Sequence, residues 1–205
     1  MADIEGIIVS VIYIVFSFMI CWIIWLNTLN KFICRKTLHF LMSNWWIIRL
    51  KYITNYWLIL GPLMFVLINS VYSYKWDKKS MGTPLFAVSL SIFTFITAIN
   101  DKLILPSTMA ILVLGYADSG AALAGRKYQE FNNLAYEKSI VGSAVFFFNT
   151  IVTVIIVLNV YHVNIYMTKI ICFSLVMAFA ENKVFPKCDN LIIPIFTFIL
   201  FYKFY

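Results

Sequence analysis

The sequence predicts an all-α integral membrane protein: a bundle of about eight transmembrane helices, seven in the alternative count, forming a single polytopic domain over residues 1–205. Three observations predict it. Apolar residues make up 62% of the chain and charged residues 12%, whereas soluble domains sit near roughly 45–50% and about 25%. Several apolar runs approach or exceed the roughly 18–20 residues that cross a bilayer. The ionisable residues gather at the ends of those runs, as expected where a charge at the bilayer centre costs about 2.5–3.5 kcal/mol.

Taken in order, the runs place helices at about 4–27, 36–50, 53–73, 83–100, 104–122, 140–160, 165–182 and 190–205. The first, Ile4 to Leu26, is too long for the core of a signal peptide and carries Asp3 and Glu5 where such a peptide would be basic. The second gives about 22 Å of helix, short of the roughly 30 Å hydrocarbon core, so it fits either a span or an interfacial helix. Charge separates the two. With eight spans and an outside N-terminus, eleven of the sixteen Lys and Arg fall in cytoplasmic loops, leaving Arg49, Lys51, Lys102, Lys169 and Lys203 opposite. With seven spans the division is eight and eight. The positive-inside bias therefore favours eight spans and a non-cytoplasmic N-terminus.

The net charge of +7 is explained by this topology. No basic stretch is interleaved with aromatics as a nucleic-acid groove requires, so nucleic acid is not an expected partner. Trp45, Trp46, Trp57 and Trp76 lie near span ends and fit an interfacial aromatic belt. Cys21, Cys34, Cys172 and Cys188 have neither C-x-x-C spacing nor a histidine at zinc-ligand spacing, and are expected to be free thiols.

Four hydrophilic islands remain, all on the cytoplasmic side in the eight-span arrangement. Asp118 is followed by Ser119-Gly120 and by Gly125-Arg126-Lys127. A carboxylate, glycines and two cations suit a magnesium–phosphate site, because Mg²⁺ takes one or two carboxylates and completes its shell with water and phosphate oxygens. Glycines admit backbone amides to phosphate, and Arg offers a bidentate fork. The alternative is a helix end with snorkelling cations. Lys138 and Ser139 either hold phosphate at a helix N-terminus or cap that helix. Glu181 precedes Asp189-Asn190, with Pro186 breaking the helix between them. Asp189 is either an N-cap or a second carboxylate for the same metal, the latter a phosphoryl-transfer layout. Arg35 and His39 share a helix face at i,i+4 beside Lys36, which suits a phosphate ligand or proton carrier as well as an interfacial histidine. The P-loop and the dinucleotide-binding glycine pattern are both absent.

The ordered set resembles the CTP-dependent polyprenol and lipid kinase family of phytol kinase and dolichol kinase, related to yeast-type CTP-dependent diacylglycerol kinase. The resemblance is carried by Arg35, Lys36 and His39; by Gly82-Thr83 after the basic loop Lys75 to Lys79; by Asp118, Ala121, Gly125, Arg126 and Lys127; by Lys138, Ser139, Gly142 and Ser143; and by Glu181, Asp189, Asn190, Leu191 and Pro194. The chain departs from the pattern at Ala117, Gln129 and Val141, where the family carries Gly, Gly and Glu.

The resemblance implies an Mg²⁺-dependent kinase that moves the γ-phosphate of CTP to the hydroxyl of an isoprenoid alcohol at the cytoplasmic face of the ER or a bacterial plasma membrane. Asp118 and Asp189 would hold the metal. Arg35, Lys36, Gly125, Arg126, Lys127, Lys138, Ser139 and Asn190 would bind nucleotide and phosphate. The general base would come from Asp118, His39 and Glu181. Diacylglycerol phosphorylation, cytidylyl transfer as in CDP-diacylglycerol synthase, and a small transporter or scaffold are the competing expectations. All the enzymatic ones require the islands to meet at one end of the bundle.

Overall fold

The computed structural model describes residues 2–52, 63–68, 70–71, 81–134, 138–183 and 188–204, and every regular element among them is helical. The elements are α1 (Ala2–Thr28), α2 (Lys31–Tyr52), α3 (Gly82–Ile99), a 3₁₀ turn (Asp101–Leu103), α4 (Ile104–Leu112), a π-helical segment (Val113–Asp118), α5 (Ser119–Phe131), α6 (Ile140–Val160), α7 (Met167–Lys183) and α8 (Asp189–Phe204). Among the described residues four stretches are long and apolar enough to cross a membrane: Ile4–Thr28, Gly82–Ile99, Asp101–Phe131 and Ile140–Val160. The expected span at 53–73 lies mostly outside the described residues; 63–68 and 70–71 are helical.

Helix α2 is longer than its apolar run. Its 22 residues make about 33 Å at 1.5 Å per residue, enough for the hydrocarbon core. Its charged residues keep it from reading as a span, but Lys36, His39, Ser43 and Arg49 are buried inside the bundle. Helix α1 packs along α2: the Tyr13 hydroxyl donates to the Leu41 carbonyl (2.8 Å), and the Cys21 and Cys34 thiols each point at the other's carbonyl. All four cysteines are free.

The continuous rod Asp101–Phe131 is the centre of the bundle, with 78% of its apolar window buried against 11% for α1. Its 31 residues run about 46 Å, well beyond the helix expected at 104–122. Asp118 is therefore not at a helix end. The largest core cluster joins this rod to α2, α3, α6, α7 and α8 through Met42, Phe86, Met109, Leu114, Phe146, Met177 and Ile193. A second cluster holds Trp45, Trp46, Leu90, Phe93, Ala110 and Ile111.

One expectation is corrected here. Trp45 and Trp46 are buried in that second cluster and form no interfacial belt; Trp46 Nε1 donates to Thr108 Oγ1 (3.0 Å) and its ring carries the Arg49 guanidinium at 5.1 Å. Trp57 and Trp76 lie outside the described residues. The glycines, in turn, serve close helix packing. Gly115 faces Ser43: a Cβ built on it would lie 1.9 Å from Ser43 Oγ and 2.2 Å from Ser43 Cβ. Gly125 and Gly142 bring α5 and α6 together, where a Cβ on Gly142 would sit 3.2 Å from the Ala121 carbonyl. Small residues are the usual means by which membrane helices approach closely.

Because Ser43 has no longer arm to swing aside, Gly115→Ala is expected to lower stability by about 1–3 kcal/mol through overpacking. The double variant Gly115→Ala/Ser43→Gly should recover most of the loss. Unfolding midpoints in detergent measure both, and an unshifted single variant would refute the packing argument.

Candidate active site

The hydrophilic islands lie together at one end of the bundle. Lys36 Nζ on α2 donates to Asp118 Oδ2 of the π segment at 2.6 Å, across 82 residues of sequence, and both side chains are almost fully buried. Desolvation and the nearby Asp118 carboxylate raise the Asp189 pKa to about 6, against the opposing pull of Lys36, the Asn190 amide and Lys138. Lys138 reaches Glu181 across from α7, meeting its Oε1 at 3.1 Å and its carbonyl oxygen. Asn190 Nδ2 donates to the Gly82 carbonyl (2.7 Å), and Ser89 Oγ donates to the Asn190 carbonyl (2.7 Å), so α8 is pinned to α3. A Cβ on Gly82 would lie 3.1 Å from Asn190 Nδ2 and 3.7 Å from Arg35 Nη1, which brings Arg35 to the same end.

The helix directions explain why this end suits anions. Lys31 opens α2, Gly82 opens α3, Ile140 opens α6 and Asp189 opens α8. The N-termini of these four helices lie at the end that carries the carboxylates, and each carries a partial positive charge. This arrangement has no signature in any single motif. It is legible only once the alternation of helices is known.

Individual residues take up different tasks. Ser139 caps α6, its Oγ accepting from the Gly142 amide at 3.0 Å. Gly125 lies within α5, where the helical ladder engages the backbone N–H, and it faces Ser139 Oγ and Gly142 Cα. Asp189 does not cap α8; Cys188 does, its carbonyl accepting from the Ile192 amide at 2.9 Å, while Asp189 Oδ1 accepts from the Asn190 amide at 2.8 Å. Arg126 pairs with Glu130 (2.9 Å) and lies over the Phe32 ring, its Cζ 4.6 Å from the centroid. Lys127 is exposed. His39 is buried, stacked on Phe86 with centroids 4.6 Å apart, and neither ring nitrogen has a hydrogen-bond partner among the described residues. Lys75 to Lys79, Pro186 and Glu137 lie outside the described residues.

The donor set fits a hard, oxygen-seeking cation in part. Among the described residues no three His, Cys, Asp or Glu side chains form a metal cluster. Two carboxylates are enough for a magnesium ion that takes its remaining ligands from water and phosphate. Two buried acceptors at this end, Asn190 Oδ1 and Ser119 Oγ, lack a partner among the described residues. Orphaned buried oxygens are uncommon in folded proteins, and a ligand is one means of satisfying them.

Sequence reasoning missed the π segment and the residues behind the site. Asp118 ends a π segment, Val113–Asp118, a geometry that concentrates at functional sites. Gly115 was its one visible signal. Ser43 and Ser89 have no motif at all.

Removing one member of the Lys36–Asp118 pair leaves a buried charge unpaired, which typically costs about 3–5 kcal/mol. Lys36→Met is thus expected to destabilise strongly, and Lys36→Met/Asp118→Asn to recover most of the loss. Additive losses in a detergent unfolding cycle would show that the pair does not interact.

The chain matches no protein-family model, no curated protein and no solved structure.

Proposed function

We propose that the chain is an eight-span integral-membrane lipid kinase, with its N-terminus outside and its active site at the cytoplasmic face. It transfers the γ-phosphate of CTP to the hydroxyl of an isoprenoid alcohol. The observation that carries this reading is the meeting of Lys36–Asp118, Asp189, Lys138–Glu181 and Asn190–Gly82 at one end of an apolar bundle. Carboxylates to hold a metal, cations to hold phosphate and four helix N-termini to receive negative charge are the parts phosphoryl transfer needs. The length of α2 supports eight spans, and its buried cations have partners within the protein.

In this reading Asp118, Asp189 and Asn190 Oδ1 would hold Mg²⁺, which neutralises phosphate charge when bound. Lys36 keeps the Asp118 carboxylate in place. Arg35, Arg126 and Lys138 bind phosphate oxygens. The alcohol oxygen bonds to the γ-phosphorus, the bond from that phosphorus to the β–γ bridging oxygen breaks, and CDP leaves. The alcohol proton passes to a base of the centre, from among Asp118, Glu181 and His39. The lipid reaches the site sideways between helices, since its chain is already dissolved in the bilayer.

Purified protein given γ-labelled and, separately, α-labelled CTP with a panel of prenols and diacylglycerol tests the proposal. Label from the γ position should enter a prenol. Label from the α position would mean cytidylyl transfer, and no labelled lipid with any nucleotide would favour a transporter or scaffold. Asp118→Asn should lower the rate on the order of 100-fold; an unchanged rate removes Asp118 from the site.

Metal binding needs Asp189 ionised. With its pKa raised to about 6, activity should be full above pH 7 and fall as pH drops through about 6, and high Mg²⁺ should push that fall to lower pH. A profile flat from pH 7 to pH 5 would contradict the assignment.

A further inference from the structure

Helices α1 and α2 form a tight antiparallel hairpin, and its turn sets the register. Only Leu29 and Asn30 separate the two helices. Leu29 takes a left-handed φ of 49°, and its amide donates to the Trp25 carbonyl at 2.8 Å, which closes the end of α1. Asn30 Oδ1 accepts from the Phe32 amide at 3.1 Å and caps the start of α2. A turn this short leaves the helices little freedom to slide. Further along, the Tyr13 hydroxyl donates to the Leu41 carbonyl at 2.8 Å and holds the same register. In that register Cys21 stands opposite Cys34, 13 residues away in sequence.

The two thiols meet across this interface. Cys21 Sγ lies 3.7 Å from the Cys34 carbonyl oxygen, and Cys34 Sγ lies 3.6 Å from the Cys21 carbonyl oxygen. Crossed contacts of this kind require both side chains to point inward at the same level. A thiol is a weak donor, so the contacts hold each sulfur only loosely. Rotation about the Cα–Cβ bonds turns the sulfurs from the carbonyls toward each other. Disulfides need Cβ vectors that converge, and the crossed contacts supply that condition. Both residues are free and half-buried, so a small reagent can reach them, whereas Cys172 and Cys188 are exposed.

We infer that Cys21 and Cys34 are a redox-active dithiol that closes to an intrachain disulfide and staples α1 to α2. The oxidant is a small disulfide. The thiolate of one cysteine attacks a sulfur of that reagent; a mixed disulfide forms and one reagent thiolate leaves. The thiolate of the other cysteine then attacks the protein sulfur of the mixed disulfide, and the second reagent thiolate leaves. The protein gives up two electrons and two protons, and the reagent takes both and becomes two thiols. With the turn on the cytoplasmic side, as in the topology proposed above, ambient thiols keep the pair reduced and closure is transient and reversible. The staple bears on the polar end through α2, because Cys34 directly precedes Arg35 and Lys36, and Lys36 Nζ holds Asp118.

The test uses the full chain in mild detergent micelles, carrying Cys172→Ser and Cys188→Ser so that only this pair remains. The protein is treated with dipyridyl disulfide, the released thiopyridone is followed by its absorbance, and the intact mass is measured. Two thiopyridones per chain should be released, with no adduct retained and a mass lower by two hydrogens. Adding Cys21→Ser should instead leave one adduct on Cys34. Release of the second thiopyridone should be at least about tenfold faster in native micelles than in the chain unfolded in dodecyl sulfate, because the fold holds the thiols together. The closed chain should unfold at a higher midpoint than the reduced one. Two retained adducts, a disulfide-linked dimer or no thiopyridone release overturns the dithiol. Equal closure rates in the native and unfolded chains overturn the part played by the hairpin register, and an unmoved midpoint overturns the staple. None of these readouts involves phosphoryl transfer, so the kinase reading and this one fail separately.

Discussion

The ion pair between Lys36 and Asp118 is the constraint around which the polar end of the bundle is organised. Each charge by itself would be expensive among apolar helices, and each is tolerated because the other is 2.6 Å away. The pair fixes the depth at which α2 crosses the central rod. That depth brings Ser43 opposite Gly115 and Arg35 beside Gly82. A membrane protein gains little from pressing Leu against lipid, so interhelical polar contacts and close backbone approach carry more of the specificity than they would in water. The Lys138–Glu181 and Asn190–Gly82 contacts repeat the device on α6–α7 and α3–α8.

Small residues make this possible. The π segment and Gly115 let α2 lie against the rod, while Gly125, Gly142 and the Ser139 cap let α6 start close to it. The result is a polar end above an apolar core that includes Phe86, Phe146 and Met177, with the N-termini of four helices beside it. The helix dipoles place partial positive charge there before any side chain is considered. The opposite end is built otherwise: Arg49 donates to the Thr94 carbonyl (3.3 Å) and lies over Trp46, a contact that seals the bundle.

Much of the fold was legible because it follows from apolar run length: α1, α3 and α6 nearly coincide with the expected helices. The polar islands were legible because charges interrupt such runs rarely. Three things were not. The rod continues past 122 to Phe131 because Gly125 and the polar residues around it read as a loop, whereas the neighbouring α6 gives them a packed surface. Trp45 and Trp46 read as interfacial because charge follows them, yet both are buried, and Arg49 and Thr108 meet Trp46 inside the protein. The spacing of His39 to Arg35 carries no sign that its ring stacks on Phe86. In each case tertiary neighbours far along the chain decide, and periodicity carries no information about them.

The long separation between Lys36 and Asp118 bears on biogenesis. Helix α1 is apolar beyond Glu5 and can enter the bilayer as soon as it leaves the translocation channel, but α2 cannot follow on the same terms. Its lysine is synthesised 82 residues before the aspartate that neutralises it. Until the ribosome has delivered the central rod, α2 is better accommodated at the headgroup layer or beside the channel than in hydrocarbon. In the proposed eight-span arrangement insertion is thus a delayed, cooperative event, with the second helix admitted only after the fifth expected span has arrived.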